Sequence, residues 1–530
     1  MIEKVIENWL IKTTERSFGR AFCYLLMSEG HTIIHLTKHN PMERGKDVIS
    51  ISPSGALCAF QLKTAKGGTL NLSQWRSDVE PQLYDLIEVP IEHPSITDNR
   101  FHDSYIVTNG TLDEKVQSII HSRNERYKTR NFPDFQLKSI VKGELLQKAI
   151  KATDFLLPDE INDFRRLFKL LLSIYVTEGQ GSLPKKEFIS LIEILLRIRQ
   201  EERLSNAEAS RIVSSTAFIV SVATSIFTEN KNYFAEIESW SLFISYVIAF
   251  AKKNKIPKQY YHEEIKLAQS IVSESLESLL DEVSGRQHFI EGDITVDHTF
   301  LPYRLAILAG LMAAYSFQLE DNQHEKLDRI KKFIIDNFLS IGYWGDSAFP
   351  YLFCVYKFLT KHAPQQARVL LRSILHTVIS LNNPRNVISL PNSYYTLEEL
   401  LPVLCRLEEI PKDRFAGNSS VIEPVVYLLT KIGDREFLSE QWRLISKIAN
   451  RSFEPDNDWE HFVWRAKLGV DITYYFNETQ SWSKLQERVT NNQSSPVECL
   501  ESHTHILLHF MFFPFRLNAN SVLWLDSVIN

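Results

Sequence analysis

The stretch Gly45-Lys46-Asp47-Val48-Ile49-Ser50-Ile51-Ser52-Pro53-Ser54-Gly55-Ala56-Leu57-Cys58-Ala59-Phe60-Gln61-Leu62-Lys63 decides the reading of the first part of the chain. Its apolar residues alternate through Asp47–Ile51, and they run almost unbroken through Leu57–Lys63. Ser54-Gly55 between the two runs has the chemistry of a tight turn, so the stretch reads as a β-hairpin. A hairpin of that length brings the start of its first strand beside the end of its second. Residues two apart on a strand share a face, so Gln61 and Lys63 point one way and Leu62 the other. Asp47 is therefore expected beside Gln61 and Lys63.

The neighbouring sequence extends this unit. Upstream, Ile6, Leu10, Phe18, Phe22, Leu25 and Leu26 recur at helical spacing from Ile2 to Ser28, and Gly30 is the expected stop. His31–Leu36 reads as a strand. Downstream, Leu72–Ile87 reads as a helix and Ser104–Thr108 as a strand closed by Asn109-Gly110. A helix follows from about Leu112 to Arg126. Phe135–Val141 reads either as a last strand or as the approach to the next helix.

A cluster of Asp, Gln and Lys at one strand end has the chemistry for phosphodiester hydrolysis. That reaction uses a divalent metal to offset phosphate charge and to acidify a water. Hard oxygen donors suit Mg²⁺, which keeps several waters. Asp47 would be the main carboxylate ligand. The Gln61 carbonyl would be a second, neutral ligand or would position water. Lys63 would orient the attacking water and stabilise developing negative charge.

The order of a helix carrying Glu15, then Gly45-Lys46-Asp47, a hairpin, and Gln61-Leu62-Lys63 resembles the PD-(D/E)XK nuclease superfamily. It looks closest to the branch with Gln before the Lys, as in Mrr-type restriction endonucleases and antiphage effector nucleases. The resemblance covers roughly residues 10–145 and implies a restriction-endonuclease-like α/β domain. It implies Asp47, Gln61 and Glu15 at a Mg²⁺ (or Mn²⁺) and Lys63 as the catalytic lysine. An alignment on Phe18 puts the family's helix position at Gly19 instead of Glu15. DNA is the implied substrate, with RNA as an alternative, and a prokaryotic defence or restriction role follows by analogy.

Beyond Leu145 strand-like alternation nearly disappears. Amphipathic helices are expected over Asp159–Thr177, Lys185–Glu202, Asn206–Phe227, Tyr233–Lys253, Tyr261–Val283, Phe300–Leu319, Glu325–Leu339, Phe349–Lys361 and Pro364–Leu381. The polar stretch Asn382–Ser393 marks a boundary, and helices are expected to resume from Thr396 to the end. The expected organisation is multidomain, with 1–148 as the nuclease-like domain, 149–381 as a first helical region and 382–530 as a second. The large all-α part would be a bundle or an irregular solenoid, since no fixed period of 30 to 45 residues is evident. It would sense a trigger, bind a protein partner or self-associate.

A length of 530 residues requires more than one core. Residues 1–150 hold 19 Lys+Arg against 18 Asp+Glu, so nearly all of the net charge of −6 lies in the C-terminal part. That excludes a chain that coats nucleic acid by bulk charge but leaves room for a local basic groove. Lys115, Arg123, Arg126, Lys128 and Arg130 are the candidates for it, with Lys138 and Lys142 nearby. Cys23, Cys58, Cys354, Cys405 and Cys499 are widely spaced, which excludes a zinc ribbon and points to a reducing, cytoplasmic setting. The N-terminus lacks the pattern of a signal peptide, and the longest apolar run, Leu305–Phe317, is shorter than a bilayer needs, so no membrane partner is expected. No Walker A loop is present. His505 and His509, four apart, and the loop Gly342–Asp346 are lesser candidates, each read as packing before function.

Overall fold

Two helices open the chain where the periodicity suggests one. α1 (Ile2–Lys12) and α2 (Glu15–Ser28) are separated because Thr14 is extended and caps α2, its hydroxyl accepting from the Ser17 N–H. Gly30 ends α2 as expected, with a φ of 88° that suits glycine. The computed structural model describes residues 2–36, 45–93, 96, 101–132, 134–154, 170, 174, 177–200, 204–285, 297–382, 417–464, 469–490, 495, 497–500 and 502–529.

After α2 come β1 (Thr32–Leu36), β2 (Val48–Ile51), β3 (Leu57–Lys63), β4 (Asp103–Thr108) and β5 (Leu137–Ile140). They form one sheet in chain order. β1, β2 and β3 are antiparallel neighbours, whereas β3, β4 and β5 run parallel. The hairpin turn lies at Ser54-Gly55: Gly55 donates to the Ser52 carbonyl at 2.8 Å and Ser52 to Ala56 at 2.9 Å. Phe135–Val141 is thus resolved as a strand. α3 (Glu114–Thr129) carries the chain from β4 to β5, and α4 (Lys142–Asp154) follows.

The two faces of the sheet are covered differently. Phe60 on one face meets Phe22 of α2 with ring centroids 5.3 Å apart. On the other face Ile49, Leu57, Ala59 and Ile106 pack with Trp75, Val79, Leu83, Leu86, Val116 and Ile120. The expected helix Leu72–Ile87 supplies part of that layer but is not one helix. It breaks into Leu72–Gln74, a wide turn at Trp75–Val79, a tight turn at Glu80–Gln82 and Leu83–Ile87. Pro81 is the physical reason, since it has no N–H for the helical ladder.

The packing groups the chain into two compact units, Met1–Ser270 and Ile271–Asn530. In the first unit the helices α5 (Lys185–Leu195), α6 (Asn206–Glu229), α7 (Tyr233–Asn254) and the start of α8 (His262–Gly285) share a core with the sheet layer. α1 and α2 are the common elements. Trp9 donates to Ser225 at 3.0 Å, Tyr24 stacks on Trp240 at 5.6 Å, and Arg20 makes a buried ion pair with Glu236. α6 begins at a capping box of Ser205 and Glu208. By length and composition α6 and α7 could cross a membrane, but 89% and 94% of their apolar windows are buried inside the fold. The expected helix Asp159–Thr177 falls almost wholly outside the described residues.

The second unit is helical in the main, with α9 (Asp297–Ser316), α10 (His324–Asn337), α11 (Phe349–His362), α12 (Pro364–Leu381), α13 (Ile422–Lys431), α14 (Arg435–Ile445), α15 (Trp482–Thr490), α16 (His503–Phe512) and α17 (Ala519–Val528). The expectation of helices alone fails here. β6 (Asn418–Ser419), β7 (Ala449–Pro455) and β8 (Gly469–Tyr474) form a three-stranded sheet. β6 is two residues long and β7 has little apolar alternation, whereas Val470, Ile472 and Tyr474 of β8 do alternate with polar residues and are a strand signal in the sequence. One buried carboxylate ties helices together: Asp526 of α17 accepts from the buried Lys357 of α11 at 2.8 Å and also pairs with the more exposed Lys431 of α13. The boundary stretch at 383–393 and the start of the expected helix at Thr396 lie outside the described residues.

Glu264 generates a pH prediction. It is 5% exposed, accepts from the Ser214 hydroxyl, and burial pushes its carboxyl up to about 7 from an ordinary 4.5. Between those values the folded chain holds a proton that the unfolded chain has lost. Stability fully present at low pH is therefore lost as pH rises through that window, on the order of 3 kcal/mol in all. Urea unfolding followed by circular dichroism from pH 4.5 to 8 is expected to show this slope in the wild type and a flatter one in Glu264→Gln.

Candidate functional site

The register of the β2–β3 pair sets the site. Val48 lies opposite Phe60, and Asp47, one residue earlier, donates its N–H to the Phe60 carbonyl at 2.9 Å. Continuing the register puts Asp47 opposite Gln61. β2 ends its pairing there, and Asp47 Oδ2 takes over the next ladder position by accepting from the Leu62 N–H at 2.7 Å. The carboxylate is thereby fixed beside the C-terminal end of β3.

Gln61 is fully buried. Its Nε2 donates to the side-chain oxygen of Gln82, while its Oε1 accepts no hydrogen bond among the described residues. A buried carbonyl without a donor costs about 1–3 kcal/mol. Gly45 makes the close approach possible: its φ is 72°, and a Cβ there would lie 3.0 Å from Cβ of Gln82 and 3.6 Å from Nε2 of Gln61. Lys46 is also buried and donates to the Asp85 carbonyl, which anchors the chain just before Asp47.

Lys63, two residues past Gln61, is 18% exposed, and its ammonium lies 3.8 Å from Oε1 of Glu15. Glu15 stands in the first turn of α2. Gly19, the alternative helix position, is filled by packing, because a Cβ there would sit 3.1 Å from the Leu62 methyl. Asp47, Gln61, Lys63 and Glu15 are thus gathered at one end of the sheet. Among the described residues no group of three or more His, Cys, Asp and Glu side chains is arranged to hold a metal ion. The oxygens at hand are those of Asp47 and Gln61, with Glu15 bound to Lys63. Mg²⁺ needs few protein ligands because it retains water, so this lean set fits a weakly held hard cation.

Sequence reasoning missed two supports of this site. Gln82, the partner of Gln61, belongs to the broken helix and carried no motif. Asn109, expected in a plain turn, is buried: its Oδ1 accepts from the Ala65 N–H at 2.8 Å and its Nδ2 donates to the Leu10 carbonyl at 2.7 Å. Gly110 beside it has no room for a side chain, since a Cβ would lie 2.5 Å from that of Ala65. The Asn-Gly pair was the available signal.

The proposed basic residues divide between the two ends of the sheet. Lys63 is level with Thr108, at the site end, and Lys115 is exposed on the first turn of α3 at that same end. Asn124 of α3 exchanges two 2.9 Å hydrogen bonds with Leu137, which pairs with Ser104 at the opposite end. Arg123, Arg126, Lys128 and Arg130 are therefore at that far end, roughly 13 Å along the strands from Lys63. Lys138 pairs with Asp103 at 2.9 Å and Lys142 with Glu7 at 2.7 Å.

The lesser candidates are packing residues. His505 and His509 are buried, and burial pushes them down to about 4 and about 3. His509 lies among Phe462, Phe510 and Phe513, stacked on the last at 4.6 Å. Trp344 of the Gly342–Asp346 loop is 1% exposed and donates to Ser347, and Asp346 accepts from Tyr343, Ser419 and Ser420. The loop therefore faces the core.

No protein-family model, curated protein or solved structure matches the chain.

Asn109→Ala is expected to leave the Ala65 N–H and the Leu10 carbonyl unpaired, at about 1–3 kcal/mol each. Its effect should appear as faster hydrogen exchange at Lys63–Ala65 together with a lower unfolding midpoint. An unchanged midpoint would mean that this buried amide is not holding the site end together.

Proposed function

We propose that this protein is a metal-dependent nuclease that hydrolyses phosphodiester bonds in DNA. The observation that carries the reading is the buried Gln61 carbonyl, which has no donor among the described residues, opposite Asp47 and two residues from a Lys63 paired with Glu15. A polar atom left unpaired in a core is costly unless something outside the protein chain binds it. A bound Mg²⁺ or Mn²⁺ would supply charge neutralisation at the phosphate and a water made more acidic. Asp47 and Gln61 would hold it, with the remaining positions left to water and phosphate.

The chain's own groups divide the remaining work. Gln82 takes the Gln61 amide and so leaves the buried carbonyl oxygen as the end of the side chain without a donor among the described residues. The Leu62 N–H holds one oxygen of Asp47. Lys63 would orient the attacking water and stabilise charge developing on the phosphate, and Glu15 steers its ammonium. The resemblance in the order of helix, hairpin and Gln-x-Lys supports the same reading, and by analogy it supports an effector role in prokaryotic defence or restriction. The helical parts would then sense a trigger, bind a protein partner or self-associate. RNA as substrate would use the same residues.

One observation favours a second reading. Asp47 already has a structural task, capping the open ladder at Leu62. On that reading the chain is an interaction scaffold whose nuclease-like domain binds nucleic acid or protein without cutting.

Cleavage of supercoiled plasmid and of single-stranded RNA with Mg²⁺ or Mn²⁺ separates these readings. Metal-dependent cutting of plasmid is expected, abolished by chelator and lowered at least about 100-fold in Asp47→Ala and in Lys63→Ala. Cutting that survives both substitutions would rule out this site. Binding without cutting, with or without candidate partners, would favour the scaffold.

A further inference from the structure

The far end of the sheet carries an aromatic group that the site chemistry does not use. Although Tyr84 is 60% exposed, several large aromatic side chains of this unit are enclosed, Phe18, Phe22, Phe60 and Trp75 being at most 1% exposed. Phe101 and Phe132, by contrast, are 63% and 52% exposed. They flank Phe135, with ring centroids at 5.2 Å and 5.4 Å, and Phe135 in turn rests on Tyr127 and on the core. Phe135 is the ring that closes the core, so Phe101 and Phe132 are left with open faces beyond it.

This pair sits against the basic end of α3. Arg130 donates its N–H to the Arg126 carbonyl, Asn131 donates to Lys128, and Phe132 folds back to the Tyr127 carbonyl at 2.9 Å. Asn131 makes that reversal with a φ of 65°. Phe132 is two residues from Arg130, within about 7 Å along the chain. Between 123 and 130 the chain carries Arg123, Arg126, Lys128 and Arg130 against Glu125, a net of +3. Glu125 pairs with Lys128 at 2.7 Å, and Arg126 and Arg130 are exposed. Asp134 is the other acidic residue of the turn.

Open aromatic faces beside a row of guanidinium groups are the two components of single-strand recognition. Rings stack on unpaired bases, and cations follow the phosphates. A duplex hides its base faces and has no use for the rings. We infer that this end of the sheet binds single-stranded DNA, two bases stacking on Phe101 and Phe132 and the backbone tracking along Arg126 and Arg130, which are four apart on one side of α3. The choice of DNA rests on the proposed function. Lys115 at the other end of α3 then lies on the way to Asp47 and Lys63, so the platform would hold a strand more than about 13 Å from the site that cuts it.

The test is binding by the full chain in EDTA, which keeps it separate from catalysis. Fluorescein-labelled dT20, U20 and a 20-base-pair duplex are titrated by anisotropy. The expected result is tightest binding of dT20, weakened at least about 10-fold in Phe101→Ala/Phe132→Ala and restored in Phe101→Trp/Phe132→Trp. Arg126→Gln/Arg130→Gln should flatten the salt dependence by about 1.4 in log–log slope. Equal affinity of wild type and the Phe double variant, a duplex bound as tightly as dT20, or a preference for U20 would each overturn the assignment. Loss of plasmid cutting in Asp47→Ala with dT20 binding intact would leave it standing, and a platform failure with cutting intact would leave the nuclease reading standing.

Discussion

The pairing of β2 with β3 is the constraint on which the rest of the site depends. With Val48 opposite Phe60, Asp47 falls opposite Gln61, and the Leu62 N–H is left open to the Asp47 carboxylate. A slip of one residue would exchange the faces of β3. Phe60 and Leu62 would then leave α2, and Gln61 and Lys63 would turn into an apolar layer. The burial of Phe60 against Phe22, and of Leu62 against Gly19, therefore holds the polar cluster in place from the opposite face.

α2 transmits that constraint to the rest of the first unit. One side of it covers the sheet, and Glu15 at its start reaches Lys63. Its other side is packed on α6 and on α7, the latter through Arg20–Glu236 and Tyr24–Trp240. A charge pair that is this buried gains its geometry at a high desolvation cost, and such pairs fix which surfaces meet more than they add stability. The helices after residue 148 thus support the position of α2, which is why they and the sheet layer form one compact unit.

The chemistry of the cluster is asymmetric. One carboxylate is anchored by a backbone N–H, one neutral carbonyl has no donor among the described residues, and one lysine is held by a carboxylate from another element. Gln in place of an acid lowers the negative charge at the site, so any cation held there would be held weakly and its binding would depend on the phosphate it shares. On the proposed function, that is a physical reason for the activity to be quiet until a substrate is placed.

Much of the first unit was legible in the sequence because its signals are local. Alternation, the Ser54-Gly55 turn and the stop at Gly30 place β1, β2, β3 and α2, and two-residue periodicity alone puts Gln61 and Lys63 on one face. Helical periodicity likewise placed α6, α7, α11 and α12. What failed depended on distant partners. The break in Leu72–Ile87 follows from Pro81 and from the need to lay Trp75, Val79 and Leu83 on the sheet. The strands β6, β7 and β8 exist only by pairing with one another. Gln82 and Asn109 acquire their roles from residues 21 and 44 positions away. The sequence by itself determined which residues share a strand face or a helix stripe, since covalent geometry sets those periods. Only the tertiary structure decided which faces meet, that Glu15 reaches Lys63, and that Phe101 and Phe132 stay open beside Arg126 and Arg130, because burial and hydrogen-bond satisfaction are properties of the whole packed chain.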